Sequence, residues 1–120
     1  MRVKGISWVG VGTSDFEATV RFFTDVLGLT IEVDSDPVAM LRAGPNQIVE
    51  IFGKGSPRGR PLNTPPAIAF EVDDVEAAQA ELKAHGVEIV GERGSWNGHE
   101  WLYFRGPENY MFVLKKTPAT

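Results

Sequence analysis

One pattern occurs twice in this chain, and it constrains the fold more than any other feature. Ile6-Ser7-Trp8-Val9-Gly10-Val11-Gly12 alternates in the manner of a half-buried strand, and Phe16, Val20 and Phe23 then recur at helical spacing until Leu27-Gly28-Leu29 stops the helix. Ala67-Ile68-Ala69-Phe70-Glu71-Val72 and the residues after it repeat that order. Asp74 matches Asp15, Glu76 matches Glu17 and Ala77 matches Ala18, an offset of 59 residues (74 − 15). After one deleted residue, Gly86 matches Gly28 and Val87-Glu88-Ile89-Val90 answers Leu29-Thr30-Ile31-Glu32. A repeat of this length implies two copies of one supersecondary unit.

Ser14 with Glu17, and Asp73 with Glu76, stand in the arrangement in which a side-chain oxygen caps one free helix N–H and a carboxylate reaches back to another. Further strands are expected at residues 29–33, 38–43 and 47–52, with turns at Asp34-Ser35-Asp36-Pro37 and Gly44-Pro45-Asn46. The second copy continues with a helix over 74–85 and strands over 67–72, 87–91, 99–104 and 110–115. Between the copies, residues 53–66 lose all periodicity and read as a linker. The expected organisation is a single domain of two modules, about 1–53 and 66–117, each β-α-β-β-β. A chain of 120 residues holds one ordinary domain, so the two modules must share a core.

Composition excludes several functions. No apolar run approaches the roughly 20 residues that span a bilayer, and the N-terminus lacks the apolar core of a signal peptide, so a cytoplasmic protein without membrane contact is expected. The chain has no cysteine, which removes disulfides, thiolate nucleophiles and cysteine-based metal sites. A formal charge of −4 argues against a nucleic-acid partner, and Arg58 and Arg60 are too few to reverse it. Gly10 and Gly12 resemble half a dinucleotide-binding motif, but no third glycine opens the helix.

Strand alternation sorts the side chains into two faces. Val9, Val11, Val49, Ile51, Ile68, Phe70, Val72, Leu102, Phe104, Phe112 and Leu114 should pack on the helices. The opposite face carries Trp8, Met40, Arg42, Glu50, Phe52, Glu71, His99, Trp101, Tyr103, Met111 and Val113, with small residues between them. Aromatics mixed with a few polar groups suit a ligand cavity better than a dry core.

The chain resembles the vicinal oxygen chelate superfamily, which includes glyoxalase I, extradiol dioxygenases, fosfomycin-resistance enzymes and bleomycin-resistance proteins. The residues that carry the resemblance are Ser14-Asp15-Phe16-Glu17-Ala18, Phe22-Phe23 to Leu27-Gly28-Leu29, Glu50-Ile51-Phe52, Ala69-Phe70-Glu71-Val72-Asp73-Asp74 and Tyr103-Phe104-Arg105-Gly106-Pro107-Glu108-Asn109. It implies an α+β fold, the glyoxalase/bleomycin-resistance fold, in which paired βαβββ modules form a curled, cup-like sheet, usually within a homodimer. It also implies metal-ligand positions at Trp8, Glu50, Ala67 and Val113. Of these only Glu50 offers a divalent cation a usable lone pair, so neither a metal nor another cofactor is expected.

Glu50 is then a general base, an acidic anchor for a cation, or a vestige held by Arg42 or water. Trp8 is a stacking plate or a plug for the emptied metal position. His99, Trp101 and Tyr103 share one strand face, and the resemblance places Tyr103 where phosphonate-handling relatives have a substrate-contacting tyrosine. Trp96-Asn97-Gly98 reads as a loop able to close over a ligand or to anchor the surface. His85, near a helix end, suits the helix dipole and is assigned no chemistry.

The expected function is metal-free small-molecule binding of the bleomycin-resistance type, with an aromatic compound, cations included, held by Trp8, Met40, Arg42, Glu50, Phe52, Trp96, His99, Trp101, Tyr103 and Met111. The alternative is a lyase, isomerase or dioxygenase using Glu50 and His99 as acid–base groups, or a rearranged metal set of Glu50, Glu71 and His99.

Overall fold

A computed structural model describes residues 1–57, 61–62 and 64–119; Arg58, Gly59, Arg60 and Asn63 of the expected linker lie outside the described residues. Each copy of the repeat folds as β-α-β-β-β, and the fold is α+β. In the first copy the order is β1 (Ile6–Gly12), α1 (Phe16–Arg21), a π-helical turn (Phe22–Val26), β2 (Thr30–Ser35), β3 (Val38–Gly44) and β4 (Gln47–Phe52). In the second it is β5 (Ala67–Glu71), α2 (Val75–Ala84), β6 (Glu88–Trp96), β7 (His99–Arg105), a 3-10 turn (Pro107–Asn109) and β8 (Met111–Lys116).

The chain divides into two compact units, Trp8–Ala67 and Met1–Ser7 with Ile68–Thr120. The first unit orders its strands β2-β3-β4-β1, with β1 parallel to β4 from Trp8↔Ile48 to Gly12↔Phe52. The second orders them β5-β8-β7-β6, with β5 parallel to β8. Ahead of β1, the backbone of Lys4 and Gly5 pairs with Glu71 at the end of β5. Lys4 N–H donates to Glu71 O at 2.9 Å and Glu71 N–H donates to Gly5 O at 2.8 Å. Lys4 also pairs with Asp73, and the terminal ammonium of Met1 with Glu81.

Both helices start on the aspartates that the repeat aligns, not on the residues before them. Asp15 accepts from Ala18 N–H at 3.1 Å and Asp74 from Ala77 N–H at 3.0 Å. The expected caps Ser14 and Asp73 lie one residue outside these starts: each cap bonds the N–H three residues on, so the observed bonds reach Ala18 and Ala77 rather than Glu17 and Glu76, and the Asp73 carboxylate pairs with Lys4 instead. Glu17 pairs with Arg21 one turn on. Both helices are followed by the repeat-matched glycines Gly28 and Gly86, at φ 76° and 75°, a conformation costly for any residue with a Cβ.

Alternation holds on the core side of each sheet. In the first unit Val20, Ala39, Leu41, Val49 and Ile51 form a buried cluster, with Val9, Val11, Phe16, Phe23 and Leu29 against it. In the second, Val72, Val75, Ala78, Leu102 and Leu114 do the same with Phe70, Leu82, Ile89 and Phe104, and Phe112 contacts the rings of Phe70 and Phe104. Fully burying each such large side chain contributes about 1.5–3 kcal/mol.

Trp96-Asn97-Gly98 is not a free loop. Strand β6 runs through Trp96, which pairs with His99, and Asn97 (φ 49°) and Gly98 (φ 82°) make a two-residue hairpin turn. Two consecutive positive φ values match the right-handed twist of the flanking strands, which is why Asn-Gly favours this turn.

Candidate ligand site

The helix-free face of the first unit is built around Trp8, Glu50 and Phe52. Glu50 is only 4 % exposed, and its Oε1 accepts from the Trp8 indole N–H at 2.9 Å. Phe52 meets the Trp8 ring edge-on at 6.4 Å between centroids. A Cβ on Gly10 would lie 2.2 Å from the Trp8 ring, so the indole occupies the space that a side chain at Gly10 would fill. Met40 stands opposite Glu50 in the β3–β4 register.

Arg42 does not hold Glu50. Its guanidinium pairs with Glu32 and donates to Gly44 O at 3.3 Å. The register of β2 slips between Ile31 and Val33, and the extra residue, Glu32, is the one that reaches Arg42. That hydrogen bond raises the Arg42 pKa further above its ordinary value.

The second unit repeats the device. Trp101 faces Gly94 directly across β6 and β7, and a Cβ on Gly94 would lie 2.2 Å from its Nε1. Each unit therefore places one tryptophan ring in the space left open by a glycine. In the sequence Gly10 reads as half a dinucleotide motif and Gly94 falls between the strands expected at 87–91 and 99–104, so neither signals room for a ring.

Beside Trp101 a polar chain runs across β7, β8 and β5. Lys115 Nζ contacts His99 Nδ1 at 3.0 Å and donates to Thr117 Oγ1 at 2.8 Å. The Thr117 hydroxyl donates to Glu71 Oε1 at 2.9 Å and its backbone N–H to Oε2 at 2.7 Å. Register explains the assembly: Lys115 stands opposite Trp101 on β7 and opposite Glu71 on β5, so its stem reaches His99 diagonally. Trp96 stacks on His99 with centroids 6.3 Å apart and planes at 22°. Burial, and after it the Lys115 ammonium, holds the His99 imidazole below its ordinary pKa, while Glu71 pulls the other way. Lys115 and Thr117 continue the alternation of Val113 beyond the point where apolar residues stop, so a reading limited to apolar positions misses them.

Tyr103 lies on the same face, in register with Val113. Met111 pairs with Arg105, six residues along β7 from His99, which at about 3.3 Å per residue puts it near the far end of the strand. The structure thus gathers Trp96, His99 and Trp101 and leaves Met111 apart from them.

The family positions for a divalent metal do not fit one here. The single heteroatom of Trp8 already donates a proton to Glu50, and Ala67 and Val113 present hydrocarbon. For the rearranged set, both oxygens of Glu71 already accept from Thr117. Among the described residues no group of three His, Cys, Asp or Glu is placed to hold an ion.

The family described as Glyoxalase/Bleomycin resistance protein/Dioxygenase superfamily matches residues 5–114. The chain belongs to this superfamily. Among curated proteins it is similar to the uncharacterized protein YaeR of Escherichia coli K12, at 28% identity over 93% of this chain and 95% of YaeR. Among solved structures it shares its fold with methylmalonyl-CoA epimerase from Mycobacterium tuberculosis, with a TM-score of 0.71, 19% identity and coverage of 98% of this chain and 90% of that one. It also shares it with the Mn(II)-bound glyoxalase from Novosphingobium aromaticivorans, with a TM-score of 0.74, 24% identity and coverage of 96% of this chain and 39% of that one. Likeness at these identities speaks for the fold of the superfamily member, and its chemistry follows from its own side chains. No helix among the described residues is long and apolar enough to cross a membrane.

Proposed function

We propose that this superfamily member is a small-molecule binding protein of the bleomycin-resistance type, holding an aromatic compound without a divalent metal. The observation that carries this reading is the Trp8–Glu50 hydrogen bond, which puts an indole where the family places a metal ligand and ties up Oε1 of the one carboxylate at those positions. An indole seated against Gly10 offers aromatic surface for stacking, and a nearly buried carboxylate beside it favours aromatic cations over neutral compounds. The test is a pair of titrations, one with Mn2+ and Zn2+ and one with a panel of aromatic amines. The reading expects tryptophan quenching by the amines and no stoichiometric metal binding. One metal per chain, lost in Glu50→Ala, would replace it with a metalloenzyme.

A second reading is favoured by the burial of Glu50: a carboxylate with little solvent is a suitable base for an acidic C–H, which fits a lyase or isomerase with Glu50 as the base. It requires deuterium exchange into a bound carbonyl compound, abolished by Glu50→Gln.

The same proposal includes a homodimer and a cytoplasmic location. Strand β2 is the edge of its sheet and exposed along its whole length, with Ile31, Val33 and the nearby Phe22, Val26 and Leu27 all presenting apolar surface. Sedimentation at micromolar concentration should give the dimer mass, and Val33→Lys should return the monomer.

A further inference from the structure

The proton positions along the Glu71–Thr117–Lys115–His99 chain follow from chemistry alone. A carboxylate only accepts, so the Thr117 hydroxyl gives its proton to Glu71 and must itself accept from Lys115. An ammonium only donates, so His99 Nδ1 accepts from Lys115 and the proton of the neutral ring sits on Nε2. Protonating the ring would set an Nδ1–H against the ammonium, and burial opposes it as well. His99 is thereby fixed as a donor through Nε2, beside a cation and stacked on Trp96, an indole half open to solvent.

We propose that Trp96, His99 and Lys115 form a second ligand subsite, which recognises an acceptor oxygen, carbonyl or carboxylate, on a planar compound. His99 Nε2–H donates to that oxygen, Trp96 and Trp101 supply aromatic surface, and Lys115 acts as a positioning residue that selects the tautomer. The inference goes beyond the Trp8–Glu50 reading and stands on other residues. It also changes the expected role of His99, from a base to a neutral donor.

The experiment uses benzoate, acetate and benzyl alcohol as probes and follows the 15N-imidazole signals of the full-length protein. The chain has 2 histidines, so His85 serves as the internal control. At pH 7.5, by the assignment above, His99 reads as the Nε2–H tautomer, and benzoate moves its signals and leaves those of His85 in place. His99→Phe, which keeps a ring against Trp96, weakens benzoate about tenfold, the loss of one hydrogen bond to a charged group. Lys115→Met shifts the tautomer balance toward Nδ1–H, and Lys115→Arg keeps it on Nε2–H. An Nδ1–H tautomer in the wild type, or benzoate affinity unchanged in a folded His99→Phe, overturns the proposal. If benzyl alcohol quenches tryptophan while benzoate and acetate leave His99 unmoved, the subsite is refuted and the aromatic reading survives. If acetate moves His99 while no aromatic compound binds, the subsite stands and the aromatic reading falls.

Discussion

Gly94 sits directly across from Trp101 in the β6–β7 register, and a Cβ there would come within 2.2 Å of the indole nitrogen. The ring's position therefore depends on the absence of a side chain on the neighbouring strand. Gly94→Ala should push the indole off the sheet at a cost of about 1–3 kcal/mol, the usual penalty for overfilling a packed position. Urea denaturation reads the loss, and a changed Trp101 emission maximum reads the displacement. Unchanged emission would mean that the ring accommodates the methyl without moving.

The helix starts can be separated by one pair of substitutions. Asp74→Ala removes a cap and should cost about 1 kcal/mol. Asp73→Ala removes only a solvent-exposed pair with Lys4 and should cost well under that. Thermal unfolding of the two variants should rank them in this order. Equal losses would contradict the assignment of Asp74 as the cap.

These two cases mark what was legible in the sequence. The repeat, the sequence of elements along the chain and the core face were readable because alternation and helical spacing report burial directly, residue by residue, as Val49, Ile51, Leu102 and Leu114 confirm. The caps were off by one because Ser14 and Asp73 carry the Glu three residues on that marks a capping box while Asp15 and Asp74 carry Ala18 and Ala77, so the pattern pointed one residue early. The hairpin at Asn97-Gly98 carried its own signal, since Asn-Gly between two strands specifies the turn. The Lys115–His99 contact carried none, because it depends on a diagonal between strands whose register only folding sets.

The pH response of His99 has a definite sign. Its folded-state pKa lies below 6.5, so as pH falls the unfolded chain takes up this proton first. The stability linked to this group is fully present above pH 6.5. It declines as pH drops below that value and is lost once pH passes the folded pKa. Burial is the larger cause and Lys115 the second, so Lys115→Met should move the pKa only part of the way back. Glu71→Gln should depress it further. NMR titration of His99 in the three proteins gives the order, and a pKa above 6.5 in the wild type would contradict the account.

Trp8→Phe keeps a ring over Gly10 but deletes the proton that Glu50 accepts. Because Glu50 is nearly buried, losing that donor should cost roughly 1–3 kcal/mol. Chemical denaturation measures it. Glu50→Gln in the Trp8→Phe background should recover part of the loss, since a neutral amide is less costly to bury than a carboxylate.

The measurement that reaches the central claim most directly is calorimetric titration of benzylammonium and benzyl alcohol into the wild type and Glu50→Gln. The two probes share a ring and differ in charge, so their ratio isolates the carboxylate beside the Trp8 plate. The account expects the wild type to prefer the cation by about tenfold, within the range of a partly desolvated cation near an aromatic face and a carboxylate, and Glu50→Gln to erase the preference while keeping the alcohol's affinity. Equal affinities in the wild type, or a cation preference that survives Glu50→Gln, would contradict it.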